Sequence, residues 1–166
     1  MGMPLSGKTS AANLLAKKIN YIHVDSDLEI ERVYNRKVYD IIKNKGEQIF
    51  REYEKLCLQK FSNKKKYVVS AGGGSIHSKT VHILDCFKYR IWLDTSIEIL
   101  IDRMESCNNE HRYLLHNTNN IKDKLSLIYK ERVHFYQSYS NIYVLTDNKT
   151  LNQVVNESIE KINEIN

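Results

Sequence analysis

Near the start of the chain, Gly2-Met3-Pro4-Leu5-Ser6-Gly7-Lys8-Thr9 satisfies the spacing G-x-x-x-x-G-K-[ST]. That pattern suits the holding of phosphate. Its glycines let the backbone wrap a triphosphate with N–H groups turned inward, so Gly2, Pro4, Leu5, Ser6 and Gly7 form the cradle. Ser10 and the residues after it have a helical pattern, and a helix starting here adds the partial positive charge of its N-terminus. Lys8 supplies a full charge to a transferring phosphoryl group, and Thr9 offers a hydroxyl to magnesium. The chemistry implied is phosphoryl transfer from ATP with Mg2+.

A second set of reactive groups follows at Asp25-Ser26-Asp27, just after the apolar run Tyr21 to Val24. Acids at the C-terminal end of a parallel strand face the crevice where open α/β sheets bind ligands. On an extended segment the two carboxylates share one side, about 7 Å apart. Asp25 is then placed for the metal, and Asp27 for orienting or deprotonating an acceptor hydroxyl. Helix capping is the competing use of these acids, and Asp27 could serve both ends. Further on, Gly72-Gly73-Gly74 follows the apolar run Tyr67 to Ser70. Three glycines in a row are costly to order and expose backbone, which makes sense where a ligand must approach the main chain. A generic turn is the alternative.

The elements that must carry these groups alternate. Tyr21 to Val24, Tyr67 to Ser70, Tyr89 to Leu93 and Ile142 to Leu145 read as buried strands. Helical periodicity marks the segments near Thr9 to Ile19, Val38 to Lys43, Gln48 to Phe61, Ser96 to Met104, Ile121 to Tyr136 and Leu151 to Ile165. This order predicts a parallel sheet covered by helices on both faces. No linker or repeat divides residues 1–166, so one domain is expected. The stretch Glu105 to Asn119, rich in Asn, His and charge, has neither pattern and reads as a lid over residues 105–120. A phosphate loop is normally delivered by a hydrophobic strand. With the loop beginning at Gly2, that strand, which belongs in the middle of the sheet, is expected to be missing or truncated.

Composition excludes several classes. The formal charge is +5 and the pI about 9.0, but the basic residues are spread along the chain and no reader motif accompanies them, so nucleic acid is not an expected partner. There is no apolar run of membrane-spanning length and no export signal, which predicts a cytoplasmic protein. Cys57, Cys86 and Cys107 lie far apart and are expected as reduced thiols. His23, His77, His82, His116 and His134 show no metal-ligand spacing.

Taken together, the phosphate loop, the D-x-D after the next strand, the segment Gly46-Glu47-Gln48-Ile49-Phe50-Arg51-Glu52-Tyr53-Glu54 and the glycine triplet resemble the shikimate kinase family over nearly the whole chain. The resemblance implies a three-layer α/β/α P-loop NTPase fold with strand order 2-3-1-4-5, whose first strand is the missing one. It implies a substrate-binding helical region at about 27–61 and phosphorylation of the shikimate 3-hydroxyl, a step toward chorismate and aromatic amino acids. In that family the arginine matching Arg51 binds the shikimate carboxylate, a task suited to a planar, two-pronged donor. Arg132, in Glu131-Arg132-Val133-His134-Phe135-Tyr136, matches a second carboxylate ligand, with His134 where the family has proline.

The resemblance also places substrate hydroxyls against Gly72, Gly73 and Gly74, and makes Arg112 the lid arginine that acts with Lys8 on the transferring phosphoryl. Tyr113 replaces the family's proline beside it. Arg103 resembles the residue that packs on adenine, and Asn148, in Thr146-Asp147-Asn148-Lys149, is similar to the loop bordering it. A monomer binding shikimate and ATP is expected. The rivals are another small-molecule P-loop kinase, acting on gluconate or a nucleoside monophosphate, and a degenerate, non-catalytic relative.

Overall fold

The computed structural model describes residues 1–78, 80–106 and 121–165. Four short strands, β1 (Ile22–Asp25), β2 (Tyr67–Ser70), β3 (Ile91–Asp94) and β4 (Ile142–Leu145), alternate with helices. They pair in parallel as β1 with β2 and β3 with β4, in two separate two-stranded sheets. These four are strands 2, 3, 4 and 5 of the expected order. The position between β2 and β3, where the strand feeding the phosphate loop belongs, is held at one end by Met1. Its carbonyl accepts from Leu93 N at 3.0 Å.

Side-chain alternation along β3 shows how the layers are built. Trp92 joins a core with Leu100 and Met104 of helix α6 (Ile97–Glu105) and with Leu125, Ile128 and Tyr136 of α7 (Ile121–Tyr139). Its neighbour Leu93 turns to the opposite face, into a core with Ala11 and Leu15 of α1 (Lys8–Lys18) and Val154 and Val155 of α8 (Leu151–Glu164). A period-two strand buried on both faces gives this division, and with it the three layers. Small residues at Ala11, Ala12 and Ala16 are buried on α1, while Lys17 and Lys18 sit in its last turn, where cations favour the helix dipole. A capping box between Thr150 and Gln153 starts α8.

A third core gathers Ile30 of α2 (Ser26–Tyr34), Val38 and Ile41 of α3 (Val38–Lys45), and Phe50, Cys57 and Phe61 of α4 (Glu47–Ser62). Helices thus fill most of residues 26–62, and the rings of Tyr34 and Tyr53 stack at 3.7 Å to hold α2 on α4. Helix α2 corrects the sequence reading, which treated Asp25 to Asp27 as extended. Asp25 ends its strand and accepts from the backbone N–H groups of Asp27 and Leu28 at 3.0 and 3.3 Å. That N-cap turns the chain into a helix at Ser26. A short helix, α5 (Val81–Leu84), was also not expected. Among the described residues no helix is long and apolar enough to cross a membrane. Cys57 is a buried free thiol and Cys86 an exposed one.

Candidate active site

The phosphate loop wraps at the N-terminus of α1. Gly7, the N-cap, has φ 83°, a left-handed conformation that glycine adopts without strain. Gly2 sits so close to β3 that a Cβ on it would lie 2.5 Å from Leu93 O. Lys8 Nζ donates to Met3 O at 2.6 Å, folding back over the loop it belongs to. Burial pushes its pKa down to about 8, against the pull of Asp27 and Asp25. Arg103, on α6, donates to Leu5 O at 3.0 Å, so it rests on the outside of the same loop. Asn148 lies in the turn after β4 with φ 57°, exposed.

Two carboxylates stand beside the loop in different roles. Asp25 caps α2 with Oδ1, while its Oδ2 accepts from Thr9 Oγ1 at 2.7 Å and from Ser70 Oγ at 3.0 Å. The two residues assigned to magnesium by sequence are thus in direct contact. Asp27, one turn into the crevice, has its Oδ1 buried without a hydrogen-bond partner. Burial raises its pKa to about 7; Glu54 and Asp25 add to the rise, and Lys8 and Arg51 oppose it. A buried carboxylate oxygen left without a partner is costly and is the exception in folded proteins, which singles Asp27 out beside the phosphate loop.

The glycine loop after β2 is shaped to these neighbours. A Cβ on Gly72 would lie 2.5 Å from Asp27 Oδ1, one on Gly73 would press Pro4 at 3.0 Å, and one on Gly74 would collide with the Arg51 guanidinium. Each glycine therefore makes room for a different part of the site, which a generic turn would not require. Arg132 of α7 donates to Gly73 O at 2.5 Å. Arg51 and Arg132 line one cavity of about 270 Å³ with Gly74, Ile76 and Phe135. The structure places these residues of the sequence reading around one cavity.

It gave no role to three others. Glu54, whose side chain is only 1 % exposed, accepts from Arg51 Nη1 and from Ser75 Oγ, both at 2.6 Å. Burial raises its pKa, with Arg51 pulling the other way. Glu47 holds Arg51 Nη2 at 2.5 Å. The three-residue and four-residue spacings of these acids from Arg51 were the available signal. Tyr136 donates toward Gly2 O at 3.2 Å and Gly73 O at 3.1 Å, tying the phosphate loop to the glycine loop. Nothing in its local sequence marked it. Arg112 and the proposed lid from residue 107 onward lie outside the described residues.

A phosphate loop at a helix N-terminus, a carboxylate beside it and two arginines in an adjoining cavity define a P-loop kinase of small molecules. The family model described as shikimate kinase matches residues 4–163. The shikimate kinase of Persephonella marina is 34% identical over 163 residues, covering 98% of this chain and 96% of that one. The chain belongs to the shikimate kinase family. Among solved structures, a shikimate kinase from Acinetobacter baumannii in complex with shikimate superposes with a TM-score of 0.90 at 25% identity, over 98% of this chain and 90% of that one. The enzyme from Aquifex aeolicus gives 0.83 at 25% identity, over 98% and 94%. A gluconokinase from Sinorhizobium meliloti reaches 0.61 at 13% identity over 99% and 90%, a likeness of fold alone.

Proposed function

We propose that this shikimate kinase transfers the γ-phosphoryl of ATP to the 3-hydroxyl of shikimate through the residues gathered around Asp27. The observation that carries the assignment is the shared cavity of Arg51 and Arg132 beside the glycine loop. Two guanidinium groups there can clamp a carboxylate and fix the ring that bears it. Gly72, Gly73 and Gly74 present backbone to the ring hydroxyls. Asp27, ionised, takes or orients the hydroxyl proton. Lys8 leaves Met3 O for the phosphates and stabilises the charge that spreads over the transferring group, and Arg112 is assigned the same task from the lid. Gly2, Pro4, Leu5, Ser6, Gly7, Thr9 and Ser10 cradle the nucleotide, with Arg103 and Asn148 assigned to its adenine side.

Thr9 Oγ1 and Asp25 Oδ2, in contact at 2.7 Å, are hard oxygen donors of the kind magnesium takes, and a metal that keeps waters and phosphate oxygens needs few protein ligands. They fit Mg2+, which when bound offsets the phosphate charge. Every assigned group comes from one chain, so a monomer suffices, and a reaction drawing on ATP suits the cytoplasm.

The test is ATP-dependent phosphorylation by purified protein with shikimate, gluconate and nucleoside monophosphates as acceptors. Turnover on shikimate alone, abolished in Lys8→Ala, is expected. The separation of β2 from β3 favours a second reading, a chain that binds without turnover. Shikimate binding with no phosphate transfer would establish that one instead.

A further inference from the structure

His23 lies two positions before Asp25 on β1, so period-two alternation puts both side chains on one face of the strand. In the parallel register of β1 with β2, His23 is opposite Val68 and Asp25 is opposite Ser70, so Ser70 shares that face. Val68 packs there with Ala11 and Leu15 of α1, the helix whose first turn carries Thr9. His23 Nε2 lies 2.9 Å from Ser70 Oγ. Ser70 Oγ lies 3.0 Å from Asp25 Oδ2, and Thr9 Oγ1 donates to the same carboxylate oxygen at 2.7 Å. A connected chain of hydrogen bonds therefore runs from His23 to the phosphate loop.

Proton counting gives this chain a direction. An ionised carboxylate only accepts, so both contacts at Asp25 Oδ2 need hydroxyl protons, one from Thr9 and one from Ser70. Ser70 has a single proton and three acceptors within reach: Asp25 Oδ2, the His23 ring nitrogen, and Val24 O at 3.5 Å. The carboxylate is the strongest of the three. With the proton committed there, the 2.9 Å contact to His23 is satisfied only if Nε2 carries a hydrogen and donates it to Ser70 Oγ. Such a donor polarises the hydroxyl it reaches and strengthens the bond beyond it. Thr9, with its own proton turned to Asp25, keeps its oxygen lone pairs for a cation.

We propose that His23 is a positioning residue for the metal end of the reaction, its Nε2–H holding the Ser70 hydroxyl toward Asp25 so that Asp25 Oδ2 stays fixed against Thr9. This rests on the reading of Thr9 and Asp25 as the magnesium ligands. Groups that stand behind a metal ligand orient it, and their loss weakens metal binding about 10- to 100-fold. His23 acts only through Ser70, so its loss belongs at the lower end of that range and is felt only while the Ser70 hydroxyl is present.

One readout needs no metal. In protein carrying isotope-labelled histidine, long-range proton–nitrogen correlation at about pH 8, where an ordinary histidine is neutral, should place the ring hydrogen of His23 on Nε2, with His23→Gln assigning the signal. A hydrogen on Nδ1 alone would overturn the proposal. The other readout is Mn2+, a hard divalent ion standing in for Mg2+, titrated with ADP present and followed by its paramagnetic resonance. His23→Phe and Ser70→Ala should each weaken Mn2+ binding about tenfold, and the double substitution should weaken it no further. His23→Gln, which keeps a donor, should recover most of the loss. ADP binding with a chelator in place of metal should be equal in every variant, which separates the effect from a damaged fold. Should His23→Phe lose ADP as well, the position of the ring hydrogen and the Ser70→Ala arm decide. Unchanged Mn2+ affinity in His23→Phe, additive losses, or no recovery by glutamine would each overturn the role of His23. If Asp25→Asn also binds Mn2+ as tightly as the unsubstituted protein, the magnesium reading falls and the role of His23 with it; a weakened Asp25→Asn beside an unchanged His23→Phe removes His23 alone.

Discussion

The guanidinium of Arg51 lies flat against the backbone of Gly74, so that a Cβ on Gly74 would sit 2.6 Å from Arg51 Nη2. The two are 23 positions apart, and the contact sets the wall of the cavity shared with Arg132. Gly74→Ala must displace the guanidinium from the position in which it is proposed to hold the carboxylate. The KM for shikimate should rise about 10- to 100-fold, the loss of a charge-assisted pair. The KM for ATP should hardly move, and steady-state kinetics with each substrate varied in turn separates the two.

In the proposed mechanism, Asp27 and Lys8 bracket the pH range of the reaction. Asp27 must be ionised to accept a proton, and its pKa of about 7 means that kcat/KM for shikimate rises as pH passes through 7. Lys8 must be charged, and its pKa of about 8 in the free protein means that kcat/KM for ATP falls above 8. A narrow bell is expected, and Lys8→Arg should remove its alkaline limb even where it lowers the rate.

The same Asp27 has a stability consequence. Its pKa is raised from 3.8 in the unfolded chain to about 7, so between these values the folded state binds more protons and stability declines as pH rises. Asp27→Asn should therefore stabilise the protein at pH 8 by on the order of 2 kcal/mol, discounted for partial exposure, and by little at pH 4. It should also lower kcat by about 100-fold or more. Urea titrations at the two pH values, beside an activity assay, check both statements.

Glu54 is a positioning residue whose loss should be felt twice. Removing its carboxylate frees Ser75 Oγ and one arm of Arg51, both in buried surroundings. Glu54→Ala should cost about 2–4 kcal/mol of stability and raise the KM for shikimate. Glu54→Gln, which keeps the shape and one acceptor, should recover most of the stability and less of the KM. Equal recovery of both would leave Glu54 a purely structural role.

Tyr136 bridges Gly2 O and Gly73 O from the core. Tyr136→Phe should lower stability by about 1–2 kcal/mol and weaken the alignment of phosphate and acceptor loops. That appears as a lower kcat with both KM values nearly unchanged, measurable at saturating substrates.

What the sequence determined by itself was whatever depends on neighbours along the chain. The phosphate loop, the helices with apolar faces at period 3.6, and the four apolar runs are set by spacing, and they stand within a few residues of where spacing placed them. The D-x-D was legible as chemistry but not as shape, because Asp25 chose helix capping over continued extension. The tertiary structure alone decided which glycine faces which side chain, and that Glu54 and Tyr136 tie Arg51, the phosphate loop and the glycine loop together. Those outcomes follow from the approach of segments tens of residues apart, where sub-ångström fit and burial set the energy, and no local period in the sequence encodes such distances.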